Sequence, residues 1–158
     1  MKIQIASNLH LEFLQREFAG ELLVTPHPDT ELLVLAGDIA SGTQAIDLFA
    51  RWPVPVLYVA GNHEAYRTDI ELIEDELRTA SAGTQVRFME KDRLDIDGVR
   101  FLGTTLWTDY ALFVDEGRSV DEAMNAARSF MVDHTDIRLN RQPFSPINAL
   151  LRPEAARA

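Results

Sequence analysis

Five polar side chains, of kinds that bind metal ions, follow three short apolar runs of this sequence. The runs are residues 3–6, 34–36 and 56–60, and the side chains behind them are Asn8, His10, Asp38, Asn62 and His63. Apolar runs of this kind, bounded by turn residues, are typical of strands buried on both faces. Because open α/β sheets bind ligands at the carboxyl ends of their strands, we expect these side chains at one edge. The sequence has no cysteine, so a metal ion there must be held by His, Asp, Glu or Asn.

The order of the predicted elements indicates a single α/β domain over residues 1–158. Alternating strands and helices in the first half favour a parallel sheet flanked by helices, with a hairpin later in the chain. The hairpin turn is predicted at Asp97-Gly98, so Asp97 is interpreted as a turn residue. Strands are predicted over 2–7, 31–38, 54–60, 85–90, 93–96 and 99–106, and helices over 41–52, from 68 to just before 83, from 119, and from 145–146.

Two capping patterns predict where later helices begin. Thr68 is followed three residues later by Glu71, and Ser119 by Glu122. The second of these helices carries an apolar stripe that we expect to be core, made of Val120, Ala123, Met124, Ala127, Phe130 and Met131. Residues 8–13 are predicted to be a loop, and residues 15–30 a surface excursion in which His27 is exposed.

Composition excludes several classes of function. A formal charge of −10 repels polyanions, so nonspecific binding of nucleic acid is not expected. No apolar run approaches the roughly 20 residues that span a bilayer, and the N-terminus lacks the features of a signal peptide. The sequence therefore predicts a cytoplasmic protein without a membrane partner.

Two other groups of polar residues are open to a metal-binding interpretation. Asp92, Asp95 and Asp97 lack the glycine and the distant glutamate of a calcium loop, so they are not expected to bind calcium. His134 is predicted just after a helix, where it suits a cap or a surface turn as well as a metal ligand.

Three blocks of this sequence resemble those of the calcineurin-like metallophosphoesterases. Residues 7–10, 37–38 and 61–64 are similar to the family's Asp-x-His, Gly-Asp and Gly-Asn-His-Asp/Glu blocks, and each follows a predicted strand. Residues 102–110 are also similar to a stretch of bacterial members. The resemblance implies a sandwich of β-sheet flanked by helices, of which this chain has material for the first sheet and its helices. We therefore expect the C-terminal half of the family fold to be lacking.

The resemblance also implies roles for the five side chains. Asp38 would bridge two divalent cations, Asn8 and His10 would bind the first, and Asn62 would bind the second. Asn62 and His63 would contact substrate, with His63 stabilising phosphoryl oxygens or protonating the leaving group. The metals would be manganese, iron, zinc or magnesium, and they would activate water to hydrolyse phosphomonoesters or phosphodiesters.

Two departures from the family pattern make this implied site incomplete. Asn8 stands where the family has aspartate, so Asp38 is left as the only carboxylate that the resemblance assigns to the metals. After Tyr110, the sequence lacks the family's Gly-His-x-His block, and His134 is the only later histidine. We therefore expect one metal or none, and weak or absent hydrolysis by this chain alone. The alternative is a noncatalytic phosphate- or metal-binding module, or an interaction protein that retains the fold.

The expected lack of a second sheet predicts an uncovered apolar face. That face is predicted to include Ile3, Ile5, Leu33, Leu35, Val56 and Tyr58, or their alternates. Because monomers rarely leave large apolar patches in water, we expect a homodimer or a segment of the same chain to cover it.

Overall fold

The computed structural model describes residues 1–19, 21 and 23–157, with side chains described up to residue 152. Its strands are β1 (Ile3–Ala6), β2 (Leu32–Ala36), β3 (Val56–Val59), β4 (Val86–Phe88), β5 (Asp92–Ile96), β6 (Val99–Gly103), β7 (Arg138–Leu139) and β8 (Gln142–Pro143). Its helices are α1 (Leu11–Glu17), α2 (Gln44–Phe49), α3 (Ile70–Ser81), α4 (Val120–Phe130), α5 (Asp133–Asp136) and α6 (Pro146–Arg157). None of the described helices has the length and hydropathy needed to cross a bilayer.

A four-stranded parallel sheet in the order β1-β2-β3-β4 forms the centre of the molecule, which confirms the predicted α/β fold. Alternate residues of its strands point to opposite faces. One face belongs to the main core and includes four fully buried side chains, which are Leu33, Leu35, Val56 and Tyr58. The prediction of an uncovered face was therefore wrong for these four residues, because they pack in one core with buried side chains of α2 and α3.

The β5–β6 hairpin covers part of the opposite face. Its turn lies at Asp97 and Gly98, whose φ angles of 49° and 79° suit a two-residue hairpin turn, as predicted. Side chains of the hairpin pack with Leu32 and Leu57 of the sheet. The edge strand β1 lies outside this cluster, and Ile5 remains 68% exposed.

Three helix starts differ from the sequence prediction, the first being that of α2, which begins at Gln44 and not at residue 41. Residues 11–13 belong to α1 and not to a loop. Leu11 anchors this helix, because its side chain is buried and its N–H donates to the Ile39 carbonyl. Helix α3 is capped by Asp69 rather than Thr68, since the Asp69 carboxylate accepts from the Glu71 N–H.

Helix α4 begins as predicted but is buried less than predicted. Ser119 and Glu122 form a capping box. Of the predicted core stripe only Ala127 is buried, whereas Phe130 is 86% exposed. The stripe prediction was wrong because α4 packs mainly against α6, so much of its apolar face has no layer to cover it.

Candidate metal centre

The loops after β1 and β2 run side by side and hold the first three predicted site residues. The Asn8 N–H donates to the Gly37 carbonyl at 3.0 Å, and the His10 N–H donates to the Asp38 carbonyl at 3.1 Å. Asn8, His10 and Asp38 all have positive φ angles, between 46° and 55°. Such backbone conformations are uncommon outside glycine, and they cluster where a structure positions functional side chains.

The loop after β3 meets Asp38 directly. The His63 N–H donates to Asp38 Oδ1 at 2.9 Å. Gly61 permits this approach, because a Cβ atom at position 61 would lie 2.3 Å from Asp38 Oδ1. The glycine of the third block therefore makes room for the carboxylate of the second.

Glu64 holds the loops after β2 and β3 together from inside the protein. It is fully buried, and its carboxylate accepts from the N–H groups of Ile39 at 3.0 Å and Gly61 at 2.8 Å. It also accepts from the Tyr58 hydroxyl at 2.7 Å and, more weakly, from the Asp38 N–H at 3.3 Å. Burial raises the pKa of Glu64, although its donors act in the opposite direction. The last residue of the third block is thus a structural anchor for Asp38.

His10, Glu12 and His63 form a cluster beside Asp38. His63 Nδ1 lies 3.3 Å from His10 Nδ1 and 3.1 Å from Glu12 Oε1, and His10 Nδ1 lies 4.0 Å from the same oxygen. The Glu12 side chain is only 8% exposed. Two imidazoles and a carboxylate so arranged can bind one metal ion.

Asn62 is held by a different pair of residues. Its amide Nδ2 donates to Asp133 Oδ1 at 2.7 Å, and the Tyr66 hydroxyl donates to the same oxygen at 2.8 Å. Burial and the Asp133 carboxylate raise the pKa of Tyr66, so its hydroxyl stays protonated as a donor. This arrangement occupies the amide nitrogen of Asn62 and leaves its Oδ1 available for a ligand.

A pocket of about 520 Å³ opens at this edge of the sheet. Asp38, Asn62 and Asp133 are among its lining residues, as are threonines of the segment that follows β6. The pocket is large enough for a small phosphoester group.

The structure brings together four of the five predicted site residues. His10, Asp38 and His63 are joined by the contacts above, and Asn62 lines the pocket with Asp38. Asn8 lies on the adjoining loop, but its side chain is exposed and its Nδ2 donates to Ser7 Oγ at 3.3 Å.

The structure also locates the other histidines and aspartates that were considered in the sequence analysis. His27 is exposed, as predicted. Asp92 and Asp95 form ion pairs with arginines, and the expectation that they do not bind calcium stays a prediction. His134 is buried, with Nδ1 3.0 Å from the Phe144 carbonyl, so it is neither a surface turn nor part of the cluster around His10.

Sequence analysis missed Glu12 and Asp133. Glu12 follows His10 by two residues, and that short spacing is the signal that could have identified it. Asp133 lies 71 residues after Asn62, and no local pattern connects the two.

The fold and the site together define an α/β protein with a candidate metal centre at the carboxyl edge of its sheet. A family model described as calcineurin-like phosphoesterase matches residues 1–153. The chain therefore belongs to the calcineurin-like phosphoesterase family. A search of curated proteins gives no match to it.

Proposed function

We propose that this protein hydrolyses phosphomonoesters or phosphodiesters with the aid of divalent metal ions bound at the carboxyl edge of its sheet. The family assignment supports metal-dependent phosphoester chemistry. The observation that carries the proposal is the contact of the three loops, in which the His63 N–H orients the Asp38 carboxylate and the His63 ring lies against His10. Manganese as the metal and the cytoplasmic location stay predictions from the sequence.

The residues present fit a metal ion in their donor chemistry. Carboxylate, amide and imidazole groups suit manganese, iron, zinc and magnesium, and a bound metal would activate water and neutralise phosphoryl charge. In this proposal Asp38 would be shared by the metals, and Asn62 would offer its Oδ1, since its Nδ2 is bonded to Asp133. His10 and Asn8 would hold the first metal, and His63 would contact the phosphoryl group.

The alternative proposal is a noncatalytic module that binds a phosphate group or a single metal. It is favoured by the placement of Asn8, which carries no charge and whose amide is hydrogen-bonded to Ser7. Without a carboxylate at position 8, the site gives a second cation little compensating charge.

Asn8→Asp tests the site and separates the two proposals. We expect it to raise manganese affinity by about 10-fold or more, because it adds an anionic ligand beside His10. Hydrolysis of an aryl phosphodiester should be slow for the unaltered chain, faster for Asn8→Asp, and abolished when Asp38→Asn is added. Titration calorimetry and release of the aryl alcohol measure these effects.

Asn140→Asp is the matched control, because Asn140 is exposed and has a φ of 53°, close to the 52° of Asn8. Equal manganese affinity for the Asn8 and Asn140 variants would show that position 8 does not face the metal. Turnover that survives Asp38→Asn would contradict the proposed hydrolytic site. Metal binding by Asn8→Asp without turnover would favour the noncatalytic module.

We also propose that the chain forms a homodimer through the open part of the sheet. Ile3 and Ile5 of the edge strand are 40% and 68% exposed, and open edge strands pair readily with a second chain. Light scattering at micromolar concentration should give the mass of a dimer, and Ile5→Lys should reduce it to that of a monomer. Leu72→Lys, at a side chain of α3 that is 53% exposed, should leave the dimer intact. A monomeric unaltered chain contradicts this proposal.

A further inference from the structure

We propose that the pocket at the carboxyl edge of the sheet prefers phosphoesters whose organic group is apolar and uncharged, such as an aryl group. That group would contact the apolar lining of the pocket, which we define as Leu106, Trp107 and Met131. The preference rests on the proposed phosphoester hydrolysis and adds to it the class of substrate.

The pocket is larger than a phosphoryl group requires. Its volume of about 520 Å³ lies within the roughly 300–1,000 Å³ of pockets that enclose a drug-sized ligand. Asp38 and Asn62, which are proposed to hold the metals, line this pocket together with the apolar lining. A phosphoester with its phosphoryl group near Asp38 would therefore have its organic group inside the same pocket.

The apolar lining combines one fixed aromatic ring with two exposed side chains. Trp107 is only 9% exposed, and its ring packs on Phe144 with 4.5 Å between the ring centroids. Leu106 and Met131 are 87% and 44% exposed. Covering such side chains with an apolar group removes apolar surface from water, which favours binding.

A buried carboxylate holds the segment of the apolar lining that follows β6. Glu90 is 8% exposed, and it accepts from the Thr105 N–H at 2.8 Å and from Thr104 Oγ1 at 3.1 Å. Thr105 Oγ1 in turn donates to the carbonyl of Ala60, just after β3, at 2.8 Å. These bonds tie the segment to the sheet, so the apolar surface is in place before a ligand binds.

The pocket has little to offer a second anionic group of a substrate. The hydroxyl protons of Thr104 and Thr105 are already donated within the protein, and the indole Nε1 of Trp107 is buried. No lysine or arginine is among the described residues that line the pocket, whereas Asp38 and Asp133 are. A further phosphate or carboxylate on the substrate would therefore enter the pocket without a cation to balance its charge.

Two phosphonates test the preference without turnover, because their carbon–phosphorus bond is not hydrolysed. Naphthylphosphonate and methylphosphonate differ in the group that the apolar lining would contact. With manganese present, calorimetric titration of the unaltered chain should show naphthylphosphonate binding at least about 10-fold more tightly, since covering about 60 Å² of apolar surface has an effect of that size. Naphthylphosphonate with an added carboxylate on its ring should bind at least about 10-fold more weakly than naphthylphosphonate itself.

Leu106→Ser removes part of the apolar lining at a side chain whose exposure lets the fold tolerate the change. We expect naphthylphosphonate affinity to fall by about 5-fold or more, and methylphosphonate affinity to change by less than about 2-fold. Leu112→Ser is the matched control, because Leu112 is 83% exposed in the same connection between β6 and α4 and lies outside the pocket lining. It should leave both affinities unchanged.

The indole N–H of Trp107 gives a second readout, which locates the ligand. The sequence has two tryptophans, and the indole NMR signal that remains in Trp52→Phe belongs to Trp107. Naphthol carries the aromatic rings without a phosphoryl group, and in magnesium solution it should shift the Trp107 signal of the unaltered chain. Leu106→Ser should weaken this binding of naphthol, and Leu112→Ser should not.

The results distinguish a failure of the preference from a failure of the proposed hydrolysis. Equal affinity for naphthylphosphonate and methylphosphonate, or equal effects of Leu106→Ser and Leu112→Ser, overturns the preference and leaves the phosphoester site standing. Naphthol binding that depends on Leu106, without binding of either phosphonate, supports the apolar lining and contradicts the hydrolysis. No binding of any of these ligands overturns both proposals. A change of mass in light scattering with Leu106→Ser, at unchanged naphthylphosphonate affinity, would assign this side chain to a protein interface and overturn the preference.

Discussion

Replacing Glu64 with alanine is expected to lower the free energy of unfolding by about 4 kcal/mol, because it leaves buried donors without an acceptor. The donors are the N–H groups of Ile39 and Gly61 and the hydroxyl of Tyr58, all within 3.0 Å of the carboxylate. Each such loss costs roughly 1–3 kcal/mol, and the losses are not additive, since the loops can relax together. Urea denaturation followed by circular dichroism measures the change.

Glu76→Ala is the control for this substitution. Glu76 lies exposed on α3, so the same truncation there should change the unfolding free energy by less than about 0.5 kcal/mol. Losses of similar size at the two positions would contradict the anchoring role of Glu64. A folded Glu64→Ala protein should also bind manganese more weakly, because the loop that carries Asp38 loses its support.

Among variants that add one methyl group to the loops of the candidate site, Gly61→Ala is expected to disrupt the site most. The added Cβ would meet Asp38 Oδ1 at 2.3 Å and the Asp38 backbone nitrogen at 2.8 Å. Turning the Asp38 side chain relieves only the first contact, so the loops must separate, at a cost of about 1–3 kcal/mol. Manganese affinity should fall by at least about 10-fold, since Asp38 can no longer keep its bond from the His63 N–H.

Gly83→Ala separates this steric effect from the general cost of replacing a glycine. Gly83 has a φ of 75° and open space around its Cβ position, so its replacement strains the backbone without touching the site. It should lower the unfolding free energy by about 1 kcal/mol and leave manganese affinity unchanged. Calorimetric titration of both variants with manganese measures these affinities. An unchanged manganese affinity in Gly61→Ala would show that Asp38 does not bind the metal.

Local patterns in the sequence were sufficient to predict the sheet and the edge of the sheet that carries the candidate site. Buried strands are nearly continuous apolar runs, so β2 and β3 could be predicted from residues that are adjacent in the chain. The hairpin turn at Asp97 and the capping box at Ser119 also depend on a few neighbouring residues. The meeting of His10, Asp38 and His63 followed from the parallel order of these strands. The expectation that the chain lacks a second half of the family fold stays a prediction.

Contacts between residues far apart in the sequence determined the features that local patterns could not predict. Helix α1 forms where a loop was predicted, because Leu11 is held by the loop after β2. The apolar stripe of α4 is only partly buried, because periodicity shows which residues share a face but not which layer covers that face. Asp133 reaches Asn62 across 71 residues, and Glu12 reaches His63 across 51. Hydrogen bonds of this range arise only when separate elements pack, so the polar surroundings of the candidate metal centre were set by the tertiary structure.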